Sequence, residues 1–256
     1  MKKVVIVLSA LVMLASCKKD KNVQPNPVNG NKKLVKVTQP SYNFEELIEY
    51  DAMGRVTKAD EVYDDLHTFT YGVNSFTMKA IRKPENNRVV ADLSGTLDAK
   101  GRMVTVTGLQ QYNQNSPQNV TFNYEYNADG YLVKLTKDFS TNADLKYEFS
   151  YTNGDLTESK YFENGVYKHS IFYEYYLDKP EKTELTQFYS LSPQVTMLEG
   201  KPNAHLTKTA HLVYANNTQG WTYAYSYEFD AEGYPVKTLI NYGNTSWETF
   251  FYYSNK

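Results

Sequence analysis

The sequence predicts an all-β protein, an antiparallel meander of about 14–18 strands built from consecutive hairpins. One observation is a recurring turn segment, with the near-copies YDAMGR, LDAKGR, YNADGY and FDAEGY. A second is the alternation of aromatic and smaller or polar residues between turns, as in WTYAYSYEF at 221–229. The third is composition: Tyr occurs 24 times and aromatic residues make up 15% of the chain, which favours strands.

The first residues have the features of an export signal rather than of a folded element. Lys2 and Lys3 precede an apolar run at 4–14, which is shorter than the ~20 residues that a membrane helix needs. The run ends in Leu-Ala-Ser-Cys, which resembles the lipobox of bacterial lipoproteins. That resemblance implies that residues 1–16 are a signal peptide and that Cys17 is lipidated. An ordinary secretory signal with a chance cysteine is the alternative.

Two further segments complete the predicted organisation. Residues 17–32 contain the lipidated Cys17 and a flexible tether without apolar periodicity, and residues 33–256 form a single domain of hairpin repeats. Because Cys17 is the only cysteine, we expect the domain to have no disulfide, no cysteine–metal site and no cysteine nucleophile.

The recurring segment is interpreted as a turn. A type I turn favours Asp or Asn at its first position, and a left-handed Gly three residues later adds a bulge and joins two strands as a hairpin. The predicted pairs are Asp51 with Gly54, Asp98 with Gly101, Asn127 with Gly130, and Asp230 with Gly233. In this register the flanking residues that face each other are Tyr50 and Val56, Leu97 and Met103, Tyr126 and Leu132, and Phe229 and Pro235.

Other hairpins carry weaker signals. Residues 71–74 (YGVN) predict a short turn, and the Asn-Gly pairs at 153–154 and 164–165 are typical of two-residue hairpin turns. The least regular stretch is 177–212, which contains three prolines, and we expect longer loops there.

The units resemble the YD repeats of rearrangement-hot-spot and teneurin-type proteins, which carry a Tyr-Asp…Gly-Arg core. Arg55 and Arg102 retain the arginine, whereas Tyr131 and Tyr234 replace it. The chain is also similar to a family of lipobox-bearing, YD-like envelope proteins of unknown function with a porin-like fold, through its lipobox, its hairpin units and the stretches at 201–208 and 227–237. This resemblance implies the barrel or half-barrel over residues 33–256 and implies no activity.

Motifs for catalysis and for cofactors are not found in the sequence. The formal net charge of −2 gives no basic field for nucleic acid. The four histidines lack metal-ligand spacing, and the adjacent acids at 45–46 and 64–65 should point to opposite faces of a strand. We therefore expect a protein that is not an enzyme and has no metal or cofactor. A hydrolase with two carboxylates distant in sequence is the alternative.

The aromatic surplus suggests binding. Rings with an apolar face and a polar tip suit exposed binding surfaces as well as sheets. The candidate ligand-binding residues are Trp221, Tyr223, Tyr225, Trp247, Tyr252 and Tyr253. The competing interpretation is that these rings form the core-facing layer of the sheet. The predicted function is a non-catalytic binding module for a glycan or a peptide; the alternatives are a scaffold for another envelope protein and a carrier of apolar ligands.

The predicted location is the cell envelope, with a lipid anchor in a membrane that we expect to be the outer membrane. The sequence leaves open whether the protein faces the periplasm or the exterior. A barrel that spans a bilayer needs an apolar outer band, whereas the aromatic faces here are mostly Tyr and are interrupted by Lys and Glu. We therefore expect a β domain that stands in water and is tethered to the membrane.

Overall fold

Sixteen antiparallel strands form a closed barrel in the computed structural model, which describes residues 32–111, 117–183 and 198–254. Each strand pairs with its neighbours in sequence, and the first strand pairs with the last. The predicted all-β meander of hairpins is confirmed, and its outline is the closed barrel rather than the half-barrel. The predicted signal peptide, Cys17 and residues 17–31 of the tether lie outside the described residues.

Most strands follow one another with short connections, and the longest connection joins β12 to β13. They are β1 (Lys33–Gln39), β2 (Phe44–Tyr50), β3 (Val56–Glu61), β4 (Asp65–Tyr71), β5 (Ser75–Arg82), β6 (Arg88–Leu97), β7 (Met103–Gln110), β8 (Gln118–Tyr126), β9 (Leu132–Phe139), β10 (Leu145–Thr152), β11 (Asp155–Glu163), β12 (Val166–Pro180), β13 (His205–Tyr214), β14 (Gln219–Phe229), β15 (Pro235–Tyr242) and β16 (Thr245–Ser254). Short 3-10 turns lie at Pro40–Tyr42 and Lys83–Glu85. Among the described residues, no helix is long and apolar enough to cross a membrane.

The barrel has two ends, because neighbouring strands run in opposite directions. The proximal end carries the connections that follow the even-numbered strands, together with Lys33 at the start of β1 and Ser254 at the end of β16. The distal end carries the connections that follow the odd-numbered strands. All four recurring Asp/Asn–Gly segments therefore lie at the proximal end.

Each recurring segment forms a tight hairpin turn in which the Gly N–H donates to the carbonyl of the Asp or Asn, whose side chain accepts the N–H four residues on. In the first turn, the Gly54 N–H donates to the Asp51 carbonyl over 2.9 Å, and the φ angle of Gly54 is +79°. The Asp51 carboxylate accepts the N–H groups of Met53 and Arg55, each over 2.9 Å. The strand register around all four turns matches the predicted facing pairs, with a bulge beside each turn. The recurring acid therefore caps its own turn.

The arginine of the repeat joins one hairpin to the next. The Arg55 Nε donates to Asp51 over 2.7 Å, and the guanidinium lies 4.2 Å from the ring centroid of Tyr71 on the following hairpin. Arg102 lies in the same way 4.1 Å from the ring centroid of Tyr126. Such cation–π contacts stabilise neighbouring hairpins by roughly 0.5–1 kcal/mol each.

Tyrosine hydroxyls form hydrogen bonds between neighbouring strands at the proximal end. The hydroxyls of Tyr50, Tyr71 and Tyr253 donate to the carbonyls of Leu34, Val56 and Pro235, over 2.6, 2.8 and 2.7 Å. In each case an even-numbered strand bonds to the first or second residue of the strand before it. This recurring hydrogen bond therefore accounts for part of the high tyrosine content.

The buried interior of the barrel is mostly apolar, and its outer face carries many polar and charged side chains. Along β5, alternate residues Phe76, Met78 and Ala80 are buried, whereas the residues between them are exposed. The outer face carries ion pairs across neighbouring strands: Lys58 with Glu49, Lys134 with Glu125, and Lys237 with Glu248, over 3.0, 2.8 and 2.6 Å. These charged pairs interrupt the kind of apolar outer band that a membrane-spanning barrel has.

Residues 198–204, called the closing segment here, lie against two turns of the proximal end. The Lys201 N–H donates to the Gly130 carbonyl and the Ala204 N–H donates to the Gly154 carbonyl, each over 3.0 Å. Residues 177–212 thus contain the long connection expected there, and its described part binds the turns of the β8–β9 and β10–β11 hairpins.

Replacing Asn203 in the closing segment with alanine should lower the free energy of unfolding by about 1–3 kcal/mol. The buried Asn203 side chain accepts the Leu156 N–H over 3.0 Å, and the replacement leaves that buried N–H without this acceptor. Urea denaturation measures the change. The control is Asn241→Ala at an exposed position of β15, where we expect a change within about 0.5 kcal/mol. Equal effects of the two replacements would contradict an anchoring role for Asn203.

Candidate functional site

Both tryptophans of the chain lie near the distal end of the barrel. Trp221 is on β14 and Trp247 is on β16, with β15 between them. Trp221 packs against a small buried cluster formed by Ile171, Ala210 and Leu212, so its ring faces the inside of the barrel. Trp247 is opposite Ile240, which is in turn opposite Tyr225. The two indole rings therefore belong to the same inner wall.

Tyr223 brings the two tryptophans into one cluster. Its ring centroid lies 4.4 Å from that of Trp221 and 5.5 Å from that of Trp247. Tyr242 lies 5.4 Å from Tyr223, and Tyr42 meets Trp247 edge-on at 6.3 Å. These five residues are called the distal aromatic cluster here. Tyr42 and Tyr242 are exposed, whereas the other three are half-buried, so the cluster reaches from the inner wall to solvent.

Local sequence explains how the cluster forms. On β14 the odd-numbered residues 221–227 face inward because side chains alternate along a strand. Tyr42 ends the 3-10 turn that begins with Pro40 and closes on Asn43, whose φ angle is +49°. This turn lies at the distal end of β1 and β2 and brings Tyr42 into contact with the Trp247 ring on β16.

Polar side chains lie next to the rings on the inner wall. Thr249 is two residues from Trp247 on the same inward face, and its hydroxyl accepts the Gln39 amide N–H over 2.9 Å. Thr249 is opposite Thr238 in the sheet, and both threonines are buried. The wall therefore offers amide and hydroxyl groups beside aromatic faces.

Sequence reasoning did not identify one pair of inward-facing carboxyl groups. Glu46 on β2 is directly opposite Glu61 on β3, and Glu46 is only 2% exposed. Burial, and then the charge of Glu61, raises the pKa of Glu46 to about 8. Burial, and then Asp65 and Asp64, raises the pKa of Glu61 to about 7. The sequence does contain the pattern that predicts an inward Glu46, because this residue alternates in phase with Phe44, Ile48 and Tyr50.

The six predicted binding residues do not form one site. Trp221, Tyr223 and Trp247 meet in the distal aromatic cluster. Tyr225 is on the same face of β14 but deeper, and burial raises the pKa of its hydroxyl to about 12. Tyr252 is exposed on the outer face, where Lys36 lies 5.5 Å from its ring centroid. Tyr253 is at the proximal end, bonded to a backbone carbonyl.

Tyr42 and Tyr242 are the members of the cluster that sequence reasoning missed. Tyr42 lies in a 3-10 turn and Tyr242 ends β15, in PSYN and NYGN contexts that indicate turns rather than binding surfaces. Tyr42 joins the cluster because closure of the barrel places β1 beside β16. Tyr242 joins it because β15 lies beside β14, which carries Tyr223.

The histidines lie apart from this cluster. His205 at the proximal end contacts the Asp155 carboxylate over 2.8 Å, and His211 stacks on Phe172 at a centroid distance of 5.2 Å. In the part of the chain that the structure describes, no group of three or more His, Cys, Asp or Glu side chains could hold a metal ion.

The fold defines a class, the closed antiparallel barrels of sixteen strands, and similar solved structures exist. One is a porin-like protein from Bacteroides vulgatus ATCC 8482, with 12% sequence identity and a TM-score of 0.66, over 88% of this chain and 100% of that chain. Another is a porin-like protein from Bacteroides uniformis ATCC 8492, with 14% identity and a TM-score of 0.60, over 87% of this chain and 95% of that chain. No family model and no curated protein matches the chain. At these identities the similarity shows the fold alone, and it supports the porin-like β fold that the resemblance implied.

Proposed function

We propose that this protein is a non-catalytic binding module of the cell envelope and that it takes a glycan at the distal aromatic cluster. The observation that carries the proposal is the meeting of five aromatic rings, including both tryptophans, at one end of the barrel. Two of the five rings are exposed, so the cluster is not simply part of the filled core.

The chemistry of the cluster suits a neutral sugar. Trp and Tyr rings offer broad apolar faces for the C–H faces of pyranose rings, and their N–H and O–H groups bond to hydroxyls. Rigid aromatic side chains lose little conformational entropy on binding. The amide of Gln39 and the hydroxyls of Thr238 and Thr249 lie close by on the inner wall.

Two features support a barrel that stands in water and is held at a membrane by its N-terminus. The ion pairs on the outer face would be costly to transfer into hydrocarbon. The lipobox ending at Cys17 supports the lipid anchor and the envelope location. Two acyl chains or more on that residue would give stable attachment.

The alternative functions draw less support from the barrel. An apolar-ligand carrier needs interior space, but Phe76, Phe122 and Met78 are among the large side chains fully buried inside. A scaffold that pairs through a free sheet edge needs an unpaired strand, but β1 and β16 pair with each other, so the sixteen described strands close on themselves.

Tryptophan fluorescence tests the proposal directly, because both tryptophans belong to the cluster. Titration with cellohexaose, maltohexaose and chitohexaose should change the emission with at least one of these sugars. Tyr223→Ala should then weaken binding about tenfold, which corresponds to ~1.4 kcal/mol. The matched control is Tyr252→Ala, which removes an exposed ring on the outer face and should leave the affinity unchanged.

Three results would contradict a glycan site at this cluster. The first is an emission that no sugar changes. The second is an equal loss of affinity in the Tyr223 and Tyr252 variants. The third is a spectral response to short peptides alone, which would move the proposal to a peptide ligand. The urea midpoint of each variant separates loss of binding from loss of fold.

A further inference from the structure

We propose that the proximal end of the barrel faces the membrane and that the turn tips at Met53 and Val73 contact the bilayer surface beside the lipid anchor. The inference rests on the lipid attachment at Cys17 put forward above and does not depend on what the distal aromatic cluster binds.

The path of the chain places the tether at this end. Strand β1 begins at the proximal end, and Lys32 just before it pairs with Asp230 in the turn between β14 and β15 over 2.7 Å. The Lys33 side chain lies 3.4 Å from the position that a Cβ on Gly54 would take, so the chain enters beside the turn that carries Met53.

The length of chain between Cys17 and the barrel limits how far this end can lie from the membrane. Residues 18–31 separate the lipidated residue from the described chain. A segment of this length reaches at most about 50 Å, even when fully extended. The barrel is attached through its proximal end, so the proximal turns are the part of the barrel nearest the attachment point.

The three most exposed aliphatic side chains lie at the same end. The most exposed large hydrophobic residues of the described chain are Val73 at 96%, Leu177 at 75% and Met53 at 71%. All three lie at or near the proximal end, on the turns after β2 and β4 and near the end of β12. Such side chains gain apolar contact when they enter the interface of a bilayer.

Charges at this end do not favour one kind of headgroup. Lys100 and Lys201 are exposed on the proximal side, and so is Asp129. The contact that we infer is therefore apolar rather than electrostatic, and it should change little when the salt concentration is raised.

The same geometry orients the distal aromatic cluster. Because the tether and the cluster lie at opposite ends of the barrel, the five rings open away from the anchoring membrane by about the length of a strand. A ligand would be taken from the space in front of that membrane rather than from its surface.

Fluorescence quenching on vesicles tests the contact with the full lipidated chain. Acylation of Cys17 blocks the only native thiol, so Val73→Cys and Met53→Cys each introduce a single site for a fluorescent label. Val166→Cys is the control, since Val166 is 58% exposed but lies at the distal end, at the start of β12. Phosphatidylcholine vesicles that contain nitroxide headgroup lipids supply the quencher.

Labels at residues 53 and 73 should be quenched several-fold more than the label at 166, at low and at high salt. Protein that floats with the vesicles but shows equal quenching at the three sites would contradict the contact of the proximal end with the bilayer. The lipid anchor would still stand. Protein that does not float would overturn both. Sugar binding, measured by tryptophan emission in the same vesicles, reports on the distal aromatic cluster independently of either result.

Discussion

Replacing Gly200 with alanine should lower the free energy of unfolding by about 3 kcal/mol or more, a larger loss than we expect from the other substitutions. The φ angle of Gly200 is +100°, a conformation that costs an L-residue roughly 1–3 kcal/mol. An added Cβ would also lie 2.5 Å from the Gly130 carbonyl oxygen and 2.9 Å from the Tyr126 ring. One obstacle is backbone and the other is a packed ring, so the closing segment must move away from the turn between β8 and β9.

Urea denaturation measures this loss, and Gly101→Ala separates its two causes. Gly101 also has a positive φ angle, +77°, but an added Cβ there would meet nothing within 4 Å. We expect that control to lose only about 1–2 kcal/mol, from backbone strain alone. If the two variants lost equal stability, the close contact between the closing segment and the β8–β9 turn would be wrong.

The second large effect is a loss of stability with rising pH that depends on Glu46. Burial raises the pKa of Glu46 in the folded protein to about 8, whereas its ordinary value is 4.5. The folded state therefore holds the proton more tightly than the unfolded chain does. This contribution to stability is fully present below pH ~4.5 and is lost as the pH rises through about 8. We expect a decrease on the order of 3 kcal/mol between pH 5 and pH 9.

Urea denaturation of Glu46→Gln between pH 5 and pH 9 checks this dependence. The amide cannot ionise, so the variant should lose most of the decrease, with a smaller remainder from Glu61, whose pKa is raised in the same direction. Glu49→Gln is the control, because Glu49 is on the same strand but points outward to Lys58. Equal slopes in the wild type and in the Glu46 variant would contradict a buried, protonated Glu46.

Local chemistry made much of the proximal end predictable. The spacing of Asp51 and Gly54 determines the hydrogen bonds of a hairpin turn. The geometry of that turn then places Tyr50 opposite Val56. Both are interactions between residues a few positions apart, so one sequence is enough to infer them. The same reasoning recovered the hairpin order, which in a meander is the order of the strands.

The rest depends on contacts between distant residues. Alternation predicts that Tyr252 and Tyr253 point to opposite faces. Only the register of β16 against β1 determines that Tyr252 points outward and Tyr253 inward. Tyr42 belongs to the distal aromatic cluster only because closure of the barrel brings its 3-10 turn beside Trp247 on β16. Likewise, Glu46 acquires its raised pKa from the depth of its burial, which alternation alone does not measure.

Closure also has a consequence for how the protein is made. The seam joins β1 to β16, and the hydrogen bond between Ser254 and Lys33 spans 221 positions of the chain. A nascent chain therefore has no complete barrel until its last ten-residue strand has emerged, and contacts of such long range form slowly. Until then β1 keeps an unpaired edge that can associate with other chains. Loss of the final strand by early termination or proteolysis should thus produce an aggregating species rather than a smaller barrel.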